Sequence, residues 1–367
     1  MSRRRGAEAG ERRGPGAEGG EVERREAGAG EAEGGRHEVA EAGGGPRGES
    51  AGAAGPQGGA GGGPREAPAG AGRREAAWVE STFWRRLLMQ SAQRGPDWAL
   101  RAVPVVAGCL FGVALPSVRR GVRRGLWRVR GQGSRLRDER DVYATFVAYA
   151  QSLTEGVAAL GPQAGRVRFE IEAPEFFYRL AEHRQGCVFV TAHTSGFEVA
   201  GAGLGRALGL PVVMAMRAEP NAEARAMHDA ERARAGLEVV HVGDDPLAVL
   251  RLAGEVRRGK AVGLQIDRLP PGARGVEVPL FGGRARLPLG PFALARATGV
   301  PIVAVWTRRT GFFRVSIRAE GPWRLGRGAN PAEIEAVAAE VAASFERWVR
   351  PAPHHWFDWG KGVGGGE

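Results

Sequence analysis

The chain has 367 residues and a formal net charge of +11 at neutral pH, and the basic excess is almost wholly arginine, since Lys260 and Lys361 are its only lysines. A GC-rich coding sequence gives such a bias; physically it favours anionic partners such as lipid head groups or an acidic carrier protein. Nucleic acid is the weakest option, because no helix-turn-helix, zinc-finger or interleaved aromatic–basic pattern is present, and two cysteines exclude a disulfide framework and a cysteine-based zinc site.

In chain order, residues 1–76 are nearly all Gly, Ala, Glu, Arg and Pro, and no aromatic residue precedes Trp78. Such a segment cannot bury enough apolar surface to offset its conformational entropy, so a disordered tail is expected. It also lacks the central apolar run of a secretory signal. The remainder is long enough for one large α/β domain, or one domain with an appendage.

Residues 77–137 form a second zone. Ala102–Val118 carries no charge and is flanked by Arg101 on one side and Arg119, Arg120, Arg123 and Arg124 on the other. Pro104 and Pro116 shorten any continuous helix, and the run sits at the short limit for a membrane span. A buried helix hairpin is one reading. The preferred one is a membrane-embedded or interfacial helical segment whose arginines lie among phosphates. Cys109 and Cys187 lie in apolar runs and read as buried free thiols, which fits a reducing compartment.

Residues 138–367 alternate helical and strand-like patterns. Helices are expected over Asp141–Leu160, Gly196–Leu208, Asn221–Ala235, Pro246–Arg258, Pro288–Thr298 and Pro331–Val349. Strands are expected over Cys187–Thr191, Pro211–Met216, Leu237–Val242, Ala261–Ile266, Pro301–Thr307 and Phe313–Arg318. This alternation predicts an α/β sheet flanked by helices, and short apolar strands fit a sheet covered on both faces.

Ligands of open α/β sheets gather at the carboxyl ends of strands. Two expected strands end in chemistry-bearing residues, His193 and Asp267, and that motivates one cleft. His193 and Glu198 stand in the turn after a buried strand. With seven histidines and 41 acidic residues, a His-x4-acid spacing arises about once by chance, so position rather than spacing gives it weight. A carboxylate beside an imidazole fixes its tautomer, and the pair then serves as a general base toward a hydroxyl.

Three rival readings concern the same turn. Ser195 as a hydrolase nucleophile lacks the Gly-x-Ser-x-Gly elbow. Gly201, Gly203 and Gly205 do not match a dinucleotide loop, and close helix–sheet packing explains them better. A metal on His193 and Glu198 has no convincing third ligand. Arg217, Arg225, Arg232 and Arg234 read either as a solvated face or as phosphate or carrier contacts, and Asp267 either as a turn cap or as a binding residue. About 80 residues after the histidine, Val278–Arg296 places a glycine turn (Gly282, Gly283), Arg284 and an apolar helix where an acyl donor could be held.

Taken in order, these residues resemble the bacterial lipid A biosynthesis acyltransferases, the lauroyl/myristoyl type within the lysophospholipid acyltransferase superfamily. The resemblance spans Trp78 to Trp359 and rests on several blocks. They are His193-x4-Glu198, Arg217 to Asn221, the helix–Gly–strand–Asp unit from Leu247 to Asp267, Val278 to Arg296, and the aromatic end at Trp356 and Trp359. It departs at Thr194-Ser-Gly-Phe197, where the family has an aromatic-Gly-Asn-Trp run, and at Arg268, where a glutamine is usual.

The resemblance implies a glycerolipid-acyltransferase-like fold that transfers an acyl chain from an acyl carrier protein thioester to a hydroxyl of a membrane lipid. It implies the cytoplasmic face of the inner membrane and no cofactor. His193 would be the general base and Glu198 would orient it. Arg217, Arg232 and Asp267 would bind acceptor or donor, and Gly282, Gly283 and Arg284 would shape the pocket. The alternatives are an acyl-CoA-dependent lysophospholipid acyltransferase and a non-catalytic lipid- or carrier-binding protein.

Overall fold

The computed structural model describes residues 89–360 except 173, 220 and 244–246. The tail expected over residues 1–76 and the start of the 77–137 segment lie outside them. Among the described residues a helical stretch at 89–94 comes first, and three longer helices then lead into the sheet: α1 (Asp97–Ala114), α2 (Pro116–Arg130) and α3 (Arg135–Ala159). The uncharged run is therefore split between two helices. It breaks at Leu115, and Pro116 occupies the first turn of α2, where a missing N–H costs nothing.

α1 has an unusual distribution of side-chain size. Its buried positions, Leu100, Pro104, Gly108 and Gly112, recur every fourth residue and form one face. The two glycines allow close approach to α3. A Cβ on Gly108 would lie 2.7 Å from Val147 Cα, and one on Gly112 would lie 2.7 Å from Tyr143 Cε1. The large apolar side chains Val103, Val106, Leu110, Phe111 and Val113 face outward, each about half exposed or more. A buried hairpin would hide them, so that reading is corrected. Cys109 also faces outward and is exposed, contrary to expectation, whereas Cys187 is buried. By length and composition α1 is the one helix among the described residues able to cross a membrane. α2 has the opposite pattern, with Val122, Leu126 and Val129 inward and Arg120 and Arg124 exposed.

The sheet comprises β1 (Arg168–Glu172), β2 (Cys187–Thr191), β3 (Val212–Arg217), β4 (Glu238–Val242), β5 (Ala261–Gln265), β8 (Ile302–Gly311) and β9 (Arg314–Trp323). Their spatial order is β1-β9-β8-β2-β5-β3-β4. The five strands from β8 to β4 run parallel, while β9 is antiparallel to β8 and carries β1 parallel to itself. A separate hairpin is made by β6 (Gly275–Leu280) and β7 (Gly283–Pro288). The remaining helices are α4 (Pro174–Glu182), α5 (Phe197–Leu208), α6 (Ala222–Arg234), α7 (Ala248–Arg257), α8 (Gly290–Thr298) and α9 (Pro331–Val349).

Period-two alternation divides the central strands between two cores. Val188 and Val190 of β2, with Ile302, Ala304 and Trp306 of β8, join α7, α8, α9 and the hairpin. Cys187 and Phe189, with Val303 and Val305, join α4 and α5 on the other face. Both faces are covered, as short apolar strands require. The close packing expected of the α5 glycines is present at Gly203, where a Cβ would lie 2.1 Å from Phe169 Cζ of β1.

Candidate active site

Strands β2 and β5 pair in parallel with Thr191 opposite Gln265, so their carboxyl ends emerge side by side. His193 follows one and Asp267 the other. Asp267 is fully buried. Its Oδ1 accepts from His193 Nδ1 at 2.8 Å, and its Oδ2 accepts from the His193 backbone N–H at 3.1 Å and from Trp356 Nε1 at 2.9 Å. Burial alone would raise its pKa. The attraction of His193, the hydrogen bonds from His193 and Trp356 and the nearby Arg268 charge outweigh that and hold it below the usual carboxylate value. An ionised carboxylate only accepts, so Nδ1 carries a proton, and in the neutral tautomer of the ring the lone pair is on Nε2. Among the described residues no hydrogen bond engages Nε2, and the side chain is 20% exposed.

A C-terminal strap organises the turn that follows the histidine. Thr194 pairs with Trp356 in an isolated β-bridge. Ser195 N–H donates to His355 O at 3.0 Å, and Phe357 N–H donates to His193 O at 2.8 Å. Ser195 Oγ accepts from the Arg309 backbone N–H at 2.8 Å and lies 2.8 Å from His355 Nδ1. Burial, then the charges of His354, Arg308 and Arg309, push His355 down to about 3, so it is neutral and accepts from the hydroxyl. Ser195 is completely buried with its hydroxyl engaged, in keeping with the rejected nucleophile reading, and acts as a rivet between turn and strap. Gly196 adopts φ +87°, a left-handed conformation that glycine tolerates, and its N–H donates to Ser152 Oγ at 2.9 Å.

Glu198 lies in the first turn of α5, and the orienting bond to His193 comes from Asp267 instead. Glu198 Oε2 accepts from Ser152 Oγ at 3.4 Å. Burial raises its pKa to about 7, against the Ser152 hydrogen bond and the attraction of Arg232. Helix α3 packs against this side of the site with Tyr149, Ser152 and Gly156, three and four residues apart and so on one face. A Cβ on Gly156 would lie 3.2 Å from Glu198 Cβ, so glycine permits the approach. Tyr149 stands edge-on to Phe357 at 5.2 Å and to Trp359 at 5.0 Å. Burial and the Glu198 charge raise its pKa, and Arg268 opposes them.

The other expected residues are dispersed. Arg232 reaches Glu198 electrostatically and pairs with Asp229 at 3.4 Å. Arg217 is exposed at the carboxyl end of β3, on the same sheet edge as His193 but two strands away. Phe281 (φ +52°) and Gly282 (φ +79°) form the tight turn of the β6–β7 hairpin, and Gly283 opens β7. The turn places the Phe281 ring 5.5 Å from Trp356, so the glycines touch the site only through two aromatic rings. Arg284 does not line the site; its side chain is 79% exposed and pairs with Glu277.

Tyr149 and Ser152 were not singled out by sequence, and Arg268 was noted only as a departure from the family's glutamine. The first two had a readable signal, a polar and small stripe at helical spacing along α3. Arg268 had only its place after Asp267. The family model for bacterial lipid A biosynthesis acyltransferase matches residues 76–359 of the chain. No curated protein matches it.

Proposed function

The chain belongs to the bacterial lipid A biosynthesis acyltransferase family and is an acyltransferase; from that premise we propose that it moves a fatty acyl chain from an acyl carrier protein thioester to a hydroxyl of a membrane glycolipid such as a lipid A precursor. The supporting observation is the His193 imidazole, with Nδ1 held by buried Asp267 and Nε2 unengaged. Nε2 takes the acceptor proton as the hydroxyl oxygen attacks the thioester carbon. Asp267 fixes the tautomer and stabilises the imidazolium that forms, so it is a positioning residue. The protonated histidine then returns the proton to the departing sulfur. Glu198, half-neutral near pH 7, lies beside the acceptor path and donates or accepts a hydrogen bond there. Arg232 and Arg217 meet anionic groups of acceptor or donor along the same edge.

The enzyme sits on the cytoplasmic face of the inner membrane through α1, whose large apolar side chains face outward. The exposed Arg120 and Arg124 of α2 stand at head-group level.

The test is mass spectrometry of membrane lipids from cells with wild-type protein, no protein and His193→Ala. The expected result is a lipid heavier by one acyl group only when His193 is intact. Equal acylation by a folded His193→Ala variant would refute the base assignment. A lipid profile that never changes would favour a binding role.

A further inference from the structure

Attack on a thioester puts negative charge on its carbonyl oxygen, and an enzyme needs donors waiting there. Backbone amides of the histidine turn are the obvious supply, and all of them are already used. His193 N–H goes to Asp267 at 3.1 Å, Thr194 N–H to Ala192 O at 2.7 Å and Ser195 N–H to His355 O at 3.0 Å. Gly196 N–H goes to Ser152 Oγ at 2.9 Å and Phe197 N–H to Thr194 O at 3.3 Å. The charge must then be met by a side chain.

Among the nearby arginines, Arg309 is held by buried Glu155 through both Nε and Nη2, and Arg232 pairs with Asp229. Arg268 differs. Among the described residues no carboxylate forms an ion pair with it. Its Nη2 donates to Phe357 O at 2.7 Å, on the same residue whose N–H holds His193 O. That anchor fixes the guanidinium one strap residue from the catalytic turn. Nε is buried without a partner, and among the described residues no hydrogen bond engages Nη1. A cation anchored on the residue that also holds the histidine turn, with donors left unused, is a preorganised anion site.

We propose that Arg268 binds the oxyanion of the tetrahedral intermediate, and this rests on the acyl-transfer reading above. The acceptor oxygen bonds to the carbonyl carbon, its proton passes to His193 Nε2, and the C=O π electrons move onto the oxygen facing Arg268. When these electrons return, the C–S bond breaks and the sulfur leaves with the proton from His193, giving ester and thiol.

The test uses the full chain in phospholipid vesicles, with an acyl–acyl carrier protein thioester and a lipid A-type glycolipid lacking one acyl chain, and reads thiol release. Arg268→Gln should lower kcat about 10²–10³-fold and leave KM within about twofold. Arg268→Lys, which keeps the charge, should lose less. Added guanidinium should recover part of the rate of Arg268→Ala, which a merely structural loss would not allow. Thermal unfolding of each variant checks the fold; should Arg268→Ala not fold, the Gln and Lys variants decide. An unchanged kcat, a change in KM alone or a folded Ala variant deaf to guanidinium would overturn the proposal. His193→Ala run alongside separates the two ideas. A wild type that needs His193 but not Arg268 defeats this inference alone, whereas equal rates with and without His193 remove the reading beneath it.

Discussion

Two carboxylates flank the His193 turn, and their surroundings drive them apart. Asp267 receives three donors and stays ionised; Glu198 is raised by burial to about 7 despite hydrogen bonds from its own backbone and from Ser152. Replacing Asp267 by Asn frees the imidazole to adopt the other tautomer, so kcat should fall by about 10²–10⁴-fold in the thiol-release assay, with the Trp356 contact kept. Glu198 makes a prediction about stability. In the unfolded chain it ionises near 4.5, in the fold near 7. Below 4.5 both forms are neutral and nothing is lost. As pH climbs from 4.5 to about 7, the unfolded chain gains a solvated charge that the fold resists, so stability falls, by on the order of 3 kcal/mol when complete. Glu198→Gln has no such loss. Its advantage in urea unfolding should therefore grow between pH 4.5 and 7 and then level off. An advantage that shrinks over that range would contradict a buried neutral carboxyl.

Among the elements, the strap from Pro353 to Trp359 does more for the site than any helix. It donates Trp356 Nε1 to Asp267, accepts from Arg268 and pairs with the histidine turn. Trp356→Phe keeps an aromatic ring near Phe281 and Phe345 but removes one donor from a buried carboxylate. It should cost about 1–3 kcal/mol of stability and slow turnover, read by calorimetry and thiol release; no change in either would show the indole N–H to be idle. The strap also marks what sequence could and could not reveal. Local periodicity found β2 and α9 to the residue, because their patterns are long or uniformly apolar. It missed β1, whose Arg-Phe-Glu-Ile-Glu reads as a polar segment until it lies at a sheet edge, and α4, which is short. The hairpin strands were read only as a glycine turn, since Pro279, Arg284 and Arg286 mask their alternation. Of the site, His193 and Asp267 were visible as strand ends. Their bond, and the transfer of the orienting role away from Glu198, depended on the parallel register of two strands 74 residues apart, which no local pattern encodes.

At the scale of the molecule, one side of the helical layer leaves large apolar side chains exposed. A helix meeting water puts its small or polar residues outward, and α1 does the reverse, with glycines against α3 and Val106, Leu110 and Val113 outside. Arginines of α2 follow at once. That order suits a lipid surface, where apolar side chains enter the acyl region and guanidinium groups stay with the phosphates. Each outward side chain contributes roughly 1.5–3 kcal/mol when withdrawn from water. The triple variant Val106→Gln, Leu110→Gln, Val113→Gln changes no buried contact, so its thermal midpoint should match the wild type. Its partition onto vesicles should nonetheless drop by more than about 10²-fold, because three such terms vanish together. Sedimentation with vesicles containing anionic phospholipid measures this directly. The wild type should also release progressively as salt is raised, since the arginine contribution is screened over about 10 Å at 0.1 M while the apolar one is not. Undiminished sedimentation of the folded triple variant would place the membrane contact elsewhere in the chain.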